Sequence, residues 1–365
     1  MSKIIYFVAG ARPNFMKIAP LLKEFEKRHL RYKLIHTGQH YDYEMSKIFF
    51  DELGIPEPDF YLGVGSASHA VQTAKIMIEF EKILLQKKPI LVIVVGDVNS
   101  TIACALVAKK LFIDVAHVEA GLRSFDRRMP EEINRILTDQ ISDLLFTTEK
   151  SAEINLKNEG IDSKKIHFVG NIMIDNLINN IEKVKDLDIF KKYNLQKEDY
   201  VVSTIHRPSN VDNKKDLVKI VEILNYIQKK INIFFPIHPR TEKNLWKYNL
   251  FDDLNKNNLI LSEPVGYLEF LNLMMNSKFI LTDSGGIQEE ASFLKIPILT
   301  LRDTTERPIT ITEGTNVIVG NNLEKIKKNI NKILSGQYKK GKEIELWDGK
   351  TAERITKIII EKYVK

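Results

Sequence analysis

The hydrophobic positions of this 365-residue chain follow two alternating patterns. Short, nearly continuous apolar runs are typical of strands that are buried on both faces of a parallel sheet. Longer segments with apolar residues three or four positions apart are typical of helices that cover such a sheet, and one of them is expected at about 43–53. The apolar runs predict strands at 3–9, 33–36, 90–95, 115–119, 144–148, 165–169, 200–205, 231–237, 259–261, 279–282 and 296–301. Because helical patterns separate these runs, we predict an α/β fold.

The alternation of strand and helix occurs in two successive arrays. The first array closes at Gly170-Asn171, and a charged stretch rich in Lys and Asp, 182–199, separates it from the second. Each array has the length of a domain with its own sheet. We therefore predict two Rossmann-like, doubly wound domains that face each other across a cleft, with the first at residues 1–170 and the second at residues 171–350.

Acidic residues stand where two neighbouring strands of the first array end. Asp97 follows one buried strand, and Glu119 closes the next. Pro130 then opens a helix that carries Glu131 and Arg135 about one turn apart. Since ligands of open parallel sheets bind at the carboxyl ends of the strands, we expect these side chains to form an acid/base site.

Each of these acids also has a simpler explanation. Glu131 lies in the first turn of a helix, where the macrodipole favours negative charge, and Asp97 stands where it could cap the following helix. A site is favoured by the convergence of three acids with Arg123 and Arg135 within one short region.

The second array carries a different signature, a glycine pair between a strand and a helix. Ser284-Gly285-Gly286 lets backbone N–H groups approach an anion closely, and the helix N-terminus adds partial positive charge. Glu290 lies one turn into that helix, where it could accept hydrogen bonds from ribose hydroxyls. The alternative is a plain strand-to-helix turn that needs glycine. With cations at Arg12, Lys17, Arg302 and Arg307, the pattern favours a site for a nucleoside diphosphate.

Composition narrows the class of protein further. The chain is 44% hydrophobic and 28% charged, and no apolar run approaches the roughly 20 residues of a membrane span. The net charge is +6, but the basic residues near the C-terminus are interspersed with Asn and Glu rather than with aromatic residues, so we expect no nucleic-acid partner. The single cysteine, Cys104, excludes a disulfide framework and a multi-cysteine metal site.

Neither a Walker sequence nor a Gly-x-Gly-x-x-Gly turn occurs, which argues against P-loop and dinucleotide chemistry. Met1 to Tyr6 leads directly into the first strand, so we expect no signal peptide and a cytoplasmic protein.

Seven segments together resemble the non-hydrolysing UDP-N-acetylglucosamine 2-epimerases, in order and over nearly the whole chain. They are Gly10-Ala-Arg-Pro-Asn-Phe-Met-Lys17, Thr37-Gly-Gln-His40, Gly96-Asp-Val-Asn-Ser-Thr101, His117-Val-Glu-Ala-Gly-Leu-Arg123, Pro130-Glu-Glu-Ile-Asn-Arg135, Asp283-Ser-Gly-Gly-Ile-Gln-Glu-Glu290 and Thr304-Thr-Glu-Arg-Pro308. The resemblance implies a GT-B arrangement, a homodimer, and chemistry without a metal or redox cofactor. It also implies that the C-terminal helix, 351–365, returns to the first domain.

The same resemblance implies the reaction and the residues that carry it. UDP-GlcNAc and UDP-ManNAc would interconvert by anti elimination of UDP, through 2-acetamidoglucal, and re-addition of UDP after protonation from the other face. Several carboxylates suit this chemistry because a weakly acidic C–H needs a base on one face and an acid on the other. The implied catalytic residues are Asp97, Glu119, Glu131, Arg135 and His206, and the implied UDP contacts are Arg12, Lys17, Phe270, Ser284, Gly285, Gly286, Glu290 and Arg307.

The chain departs from the family pattern at a few positions. Some bacterial members have His-Arg-Arg-Glu where this chain has His206-Arg-Pro-Ser209, and many have Glu where this chain has Ile309. By the resemblance, several bacterial members bind a second, regulatory UDP-GlcNAc through polar residues in the loops after the Gln-His pair and after the second-domain histidine. The corresponding stretches here are Gln39-His-Tyr-Asp42 and His206-Arg-Pro-Ser209, and Ala70-Val71 precedes Gln72. Pro208 restricts Arg207, and Val71 offers no hydrogen bond. We therefore expect weak allosteric activation.

Other activities share parts of this pattern. A 2-epimerase of a UDP-2,3-diacetamido hexuronate has the nearest chemistry, and a hydrolysing epimerase shares the elimination step. A GT-B glycosyltransferase shares the fold and the UDP-sugar site, but it does not need three acids at the strand ends of the first domain.

Overall fold

The computed structural model describes residues 3–39, 50–254 and 257–365. The chain divides into two compact units, residues 1–179 with 345–365, and residues 180–344. The divisions thus fall at 179/180 and 344/345, whereas the sequence placed them after 170 and 350. Every strand in the described part of the chain pairs in parallel, and helices follow nearly all of them.

The first unit contains a seven-stranded sheet in the order β3-β2-β1-β4-β5-β6-β7. Its strands are β1 Ile5–Ala9, β2 Tyr32–His36, β3 Phe60–Tyr61, β4 Leu91–Val95, β5 Asp114–Ala120, β6 Leu144–Thr147 and β7 Ile166–Phe168. Its helices are α1 Arg12–Lys27, α2 His69–Gln86, α3 Asn99–Lys110, α4 Pro130–Ile141, α5 Lys150–Asn158 and α6 Ile172–Val184, with a 3₁₀ turn at Ser163–Lys165. The last turn of α6, from residue 180, already belongs to the second unit. Strands such as β4 are buried along their whole length, as apolar runs without alternation predict.

The second unit repeats the architecture with six strands in the order β10-β9-β8-β11-β12-β13. They are β8 Tyr200–Thr204, β9 Asn232–Pro236, β10 Leu259–Ser262, β11 Phe279–Thr282, β12 Ile298–Thr300 and β13 Asn316–Ile318. Its helices are α7 Ile189–Lys192, α8 Pro208–Val211, α9 Lys214–Ile227, α10 Pro239–Lys247, α11 Tyr267–Met275, α12 Gly285–Phe293, α13 Ile309–Thr312 and α14 Leu323–Leu334.

Strand order reverses once in each sheet, between β1 and β4 in the first and between β8 and β11 in the second. At such a switch point the loops that follow the two strands diverge, and this leaves a crevice at the carboxyl edge of the sheet. The chain after β4 carries Asp97, and the chain after β11 carries Ser284. The topology therefore brings candidate residues of each unit to the crevice of its own sheet.

The C-terminal segment completes the first unit. Helix α15, Thr351–Ile359, packs against α1 and continues as a π turn at Ile360–Val364. The Asp175 carboxylate on α6 accepts hydrogen bonds from the N–H groups of Thr351 (3.1 Å) and Ala352 (2.7 Å). An acid from a remote helix thus satisfies donors at the N-terminus of α15.

Most predicted strands occur within two residues of the expected bounds, but two edge strands, β3 and β13, were not predicted. They have two and three residues, which is too short for a hydrophobic pattern to distinguish them from loop. The helix predicted at about 43–53 has residues 43–49 outside the described part of the chain, and residues 50–53 are helical.

Within the described residues, no helix combines the length and the apolarity that a membrane crossing requires.

Candidate functional site

Glu119 lies at an irregularity of β5 rather than in a regular strand. Pairing with β6 shifts register between Val118 and Ala120, and Glu119 has a φ of 73°, which side-chain-bearing residues rarely adopt. Bulges and strained residues of this kind re-aim side chains near functional sites. The Glu119 side chain is 4% exposed, and its Oε2 forms an ion pair with Lys17 Nζ.

Lys17 therefore contacts the acid cluster, which we define as Asp97, Glu119 and Glu131 with their partners. It reaches Glu119 from the second turn of α1, and it is itself buried. A Cβ atom on Gly96 would stand 3.0 Å from Lys17 Nζ, so glycine at this turn leaves room for the ammonium group. Lys17 thus connects α1 with the loops that follow β4 and β5.

Asp97 and Arg135 are brought together as expected. Arg135 donates to Asp97 Oδ2 from Nη2 at 2.8 Å and from Nε at 3.3 Å, and the side chain of Asn134 donates to the Asp97 backbone oxygen at 3.0 Å. Arg135 is only 2% exposed and also pairs with the carboxylate of Glu132. The guanidinium thus sits between two acids and fixes the orientation of Asp97.

The two neighbouring glutamates of α4 have different environments. Glu132 is buried and accepts from the N–H groups of Ser124 (3.0 Å) and Phe125 (2.9 Å), so it fastens the loop before the helix. Glu131 is partly exposed in the first turn, and no hydrogen bond or ion pair of its carboxylate occurs among the described residues. Glu131 is therefore the acid of the cluster that remains available to a ligand.

A buried polar chain supports the cluster from within the sheet. His117 is completely buried, with Nδ1 2.7 Å from Asp139 Oδ1 and Nε2 2.8 Å from the Gly96 backbone oxygen. Asp139 Oδ2 also accepts from Arg123 at 2.7 Å and from the Gly121 N–H at 3.1 Å. Burial alone would raise the pKa of Asp139, but His117 and Arg123 outweigh it and hold that pKa below its usual value.

Arg123 was expected to hold charge among the three acids. Its guanidinium instead pairs with Asp139 and with Glu159, which directly follows α5, at 2.6 Å from Nη2 to Oε2. Arg123 is 3% exposed and therefore belongs to the buried hydrogen-bonded group of His117 and Asp139.

Arg12 opens α1 directly after the turn that follows β1. The turn is held by Asn14 Oδ1, which accepts from the N–H groups of Gly10 and Ala11, both at 3.1 Å. A Cβ atom on Gly10 would stand 2.2 Å from Ser100 Oγ, which explains glycine at this position. Arg12 is partly exposed at the carboxyl edge of the first sheet.

In the second unit, His206 lies two residues beyond the end of β8 and is held by Asp283. The His206 N–H donates to Asp283 Oδ2 at 2.9 Å, and its Nδ1 lies 3.2 Å from Oδ1. Partial desolvation lowers the pKa of His206, and the positive charges of Arg207 and Arg240 lower it further. The Asp283 carboxylate raises this pKa but does not outweigh them. The ring is therefore neutral at pH 7, with its proton on Nδ1 and with Nε2 as an acceptor.

Ser284 is the N-cap residue of α12, and Gly285 and Gly286 form its first turn. All three are partly exposed; the Ser284 N–H donates to Thr282 Oγ1 at 2.9 Å, whereas the N–H groups of Gly285 and Gly286 belong to the first turn, where a helix offers no intrahelical acceptor. Glu290 is buried one turn further and accepts from the hydroxyl of Tyr267 at 2.8 Å. Phe270 is buried in the neighbouring helix α11.

Arg307 takes part in a buried ionic cluster. It pairs with Glu306 at 2.5 Å and with Glu289 at 2.9 Å, and Arg302 pairs with Glu306 at 2.7 Å. Burial alone would raise the pKa of Glu306, but Arg307, Arg302 and Arg207 hold it well below the usual value. A Cβ atom on Gly285 would lie 2.8 Å from Glu306 Oε1 and 2.9 Å from Arg307 Nη1. Glycine at 285 therefore allows the cluster to approach the start of α12.

Several residues that shape the two crevices were not singled out from the sequence. They are His117, Glu132, Asp139, Asp283 and Glu306. A signal exists for His117 alone, because it is a polar residue inside an apolar strand; the others resemble ordinary surface positions of helices and loops until their partners are known. No group of three or more His, Cys, Asp or Glu side chains with the geometry of a metal site occurs in the described ranges.

Two doubly wound parallel sheets, each with charged groups at its switch point, define an α/β protein of GT-B type. Comparison with known proteins then places the chain in the UDP-N-acetylglucosamine 2-epimerase family, whose family model matches residues 23–360. The family resemblance drawn from the sequence is thereby confirmed, and the protein belongs to a family of isomerases.

Individual relatives agree with this assignment. A UDP-N-acetylglucosamine 2-epimerase homolog of Methanococcus maripaludis is 53% identical over 332 residues, covering 90% of this chain and 92% of that protein. The crystal structure of Methanocaldococcus jannaschii UDP-GlcNAc 2-epimerase in complex with UDP-GlcNAc and UDP is 47% identical, with a TM-score of 0.92, and covers 98% of this chain and 99% of that one. A UDP-2,3-diacetamido-2,3-dideoxy-D-glucuronate 2-epimerase of Pseudomonas aeruginosa is 44% identical over 321 residues, 87% of this chain and 88% of that protein.

Proposed function

We propose that the protein is a non-hydrolysing UDP-GlcNAc 2-epimerase that interconverts UDP-GlcNAc and UDP-ManNAc. The observation that carries the proposal is the acid cluster of the first unit, where Asp97 is bound by Arg135 and Glu119 by Lys17. Epimerisation at C2 requires removal of a weakly acidic proton and its return to the opposite face, so more than one proton-carrying group is needed.

The cations of the cluster determine what each acid can do. Arg135 orients the carboxylate of Asp97, and Lys17 orients that of Glu119, through their ion pairs. Glu131 has no such partner among the described residues and is partly exposed. In the proposed reaction Asp97 and Glu119 serve one face of the sugar ring and Glu131 exchanges a proton at the other.

Binding and departure of UDP fall to the second unit in this proposal. The N–H groups at the start of α12 bind the diphosphate, since they lack intrahelical acceptors and carry the positive end of the helix dipole. Arg307 adds positive charge, Glu290 accepts from the ribose, and Phe270 lies beside the nucleoside. The UDP contacts of Arg12 and Lys17 in the first unit stay predictions of the family resemblance. His206 presents a neutral Nε2 that takes part in proton transfer as the glycosidic oxygen leaves and returns.

The 44% identical relative from Pseudomonas aeruginosa supplies the alternative substrate, a UDP-2,3-diacetamido hexuronate. UDP-GlcNAc has priority because the solved relative with a TM-score of 0.92 contains it. Both nucleotide sugars belong in the same assay, and the faster substrate decides between them.

We also propose that the enzyme is a cytoplasmic homodimer that supplies precursors of surface polysaccharides. A surface groove of the first unit between α2 and α4, lined by Met77, Ala74 and Ile133, supports the dimer. Ile133 and Leu137, one turn apart on α4, are 40% and 50% exposed. Apolar surface of this kind is typical of interfaces. Leu137→Asp should convert the dimer to a monomer in light scattering, and an unchanged mass would exclude this surface.

The decisive experiment follows the C2 hydrogen. In D₂O, purified protein incubated with UDP-GlcNAc should place deuterium at C2 of both UDP-sugars, as measured by NMR, and EDTA should leave the rate unchanged. Glu153→Gln is the matched control for Glu131→Gln in the acid cluster, because Glu153 is also a partly exposed glutamate in the first turn of a helix, α5. Retention of hydrogen at C2 in the epimerised product, or loss of activity in EDTA, would reject the proposed mechanism.

A further inference from the structure

The buried histidine of β5 makes two hydrogen bonds that together fix its protonation. Nε2 of His117 lies 2.8 Å from the Gly96 backbone oxygen, which can only accept, so Nε2 carries a proton. Nδ1 lies 2.7 Å from Asp139 Oδ1. If the ring were neutral, Nδ1 would be a bare acceptor, and the Asp139 carboxyl would have to supply a proton.

The other partners of Asp139 argue against that second possibility. Its Oδ2 accepts from the Gly121 N–H at 3.1 Å and from Arg123 at 2.7 Å, and a guanidinium at that distance favours the ionised carboxylate. His117 and Arg123 also hold the pKa of Asp139 below its usual value against burial, which would raise it. With Asp139 ionised, both ring nitrogens of His117 donate.

The acceptor of the second bond is the residue before a candidate catalytic acid. Gly96 is tied to β5 twice, by its N–H to the Val118 backbone oxygen at 3.1 Å and by its own oxygen to His117. With a φ of 67°, Gly96 turns the chain so that Asp97 leaves the end of β4 toward Arg135. The bond from His117 holds the carbonyl group of that turn.

We propose that His117 is a doubly protonated positioning residue, which fixes the Gly96–Asp97 turn and adds a permanent positive charge behind the acid cluster. The predicted effects on kcat rest on the proposed epimerase function, whereas the protonation and hydrogen bonds of His117 do not depend on it. His117 touches neither Asp97 nor the sugar in this assignment; it acts through the Gly96 oxygen.

The charge has a second consequence that a merely structural histidine would not have. A fixed cation close to Asp97 and Glu119 favours their ionised forms, and the imidazolium faces Asp139 and, beyond it, Arg123 with Glu159. Removal of the charge should therefore move the acidic limb of the pH–rate profile to higher pH. Because Glu119 is buried whereas Asp97 is partly exposed, we expect a shift of roughly half a unit to one unit.

Substitution of His117 by Gln or by Asn tests its two hydrogen bonds one at a time. In His117→Gln the amide nitrogen takes the place of Nε2 and keeps the donor to the Gly96 oxygen, whereas in His117→Asn it takes the place of Nδ1 and keeps the donor to Asp139. Loss of position at a reacting group by about 1 Å costs on the order of 10²-fold in rate. We expect kcat to fall about tenfold in His117→Gln and on the order of 100-fold in His117→Asn, with UDP affinity by calorimetry unchanged in both.

A measurement on the wild-type protein tests the inference without any activity. In a long-range ¹H–¹⁵N spectrum of protein labelled at histidine, both ring nitrogens of His117 should carry protons between pH 7 and pH 8, and His117→Gln assigns the signals. Doubly protonated signals, higher kcat in His117→Gln than in His117→Asn, and a shifted acidic limb in both variants support the proposal. A singly protonated ring, equal or reversed kcat values, or an unmoved acidic limb overturns it. If the wild-type protein did not epimerise UDP-GlcNAc, the proposed function would fail while the spectrum still decided the charge of His117.

Discussion

The N-terminus of helix α15 should be less stable at neutral pH than in mild acid because of a single carboxyl group. Burial raises the pKa of Asp175 from 3.8 to about 6, against hydrogen bonds from Ala352 and Thr351 that lower it. The folded protein thus binds a proton that the unfolded chain releases between these two values. The stability that protonation contributes is fully present below the unfolded pKa, and it is lost as pH rises through about 6.

The magnitude follows from the two pKa values. A difference of about 2.2 units corresponds to about 3 kcal/mol at its limit, at 1.36 kcal/mol per unit. Over the accessible range from about pH 4.5 to 7.5, the linkage relation gives a loss of about 2 kcal/mol. Asp175→Asn removes the titration but retains one acceptor and the volume of the side chain.

The assay is urea unfolding of the wild-type protein and of Asp175→Asn at a series of pH values. The free energy of unfolding of the variant, relative to wild type, should rise by about 2 kcal/mol between pH 4.5 and 7.5, because only the wild type bears the cost of ionisation. Asp348→Asn is the flat comparison: hydrogen bonding to Arg354 lowers the pKa of Asp348 below 3.8, so the stability from its ionisation is already present at pH 4.5 and the difference from wild type should change little up to pH 7.5, apart from the effect of Asp348 on the pKa of Asp175. A pH-independent difference between wild type and Asp175→Asn would refute the reasoning.

Three further predictions concern activity. Glu119→Gln and Glu131→Gln should lower kcat by about 10²–10⁴-fold while UDP affinity, measured by calorimetry, is retained; parallel loss of UDP binding would make these acids structural. Ser284→Ala should weaken UDP modestly and Arg307→Ala by about tenfold or more. Arg307→Ala should also lower the melting temperature, because it removes a buried cation that pairs with Glu306 and Glu289. Unchanged UDP affinity in both variants would show that UDP does not bind at this loop. With Pro208 in the loop after His206, we expect near-hyperbolic kinetics on pure UDP-ManNAc, and a lag that trace UDP-GlcNAc abolishes would contradict this.

The sequence determined the secondary structure and the location of the candidate chemistry. Both depend on local information: apolar runs bury strands, and glycine or acid residues directly after a strand must lie at its carboxyl end. Asp97 and Ser284 could therefore be assigned to sheet edges without coordinates. The family followed from the order of seven such segments.

Only the tertiary structure decided which charges pair. The contact of Lys17 with UDP stays a prediction, but its ion pair with Glu119, about a hundred positions later in the chain, was not predicted. Arg123 was expected among the acids, and it pairs with Asp139 and Glu159 instead. An ion pair depends on the distance between side-chain ends on different elements, and hydrophobic periodicity contains no information about that distance.

The backbone of Glu119 and the charge of His117 were likewise beyond the sequence. A positive φ at a glutamate contradicts its local preference, so it persists only because the surrounding strand pairing and the ion pair with Lys17 stabilise it. The two protons proposed for His117 follow from two acceptors, Gly96 directly after β4 and Asp139 on α4, that only the folded sheet places on either side of the ring. Local pattern thus determined where each reactive residue lies along its strand, and long-range packing determined its partner and its protonation.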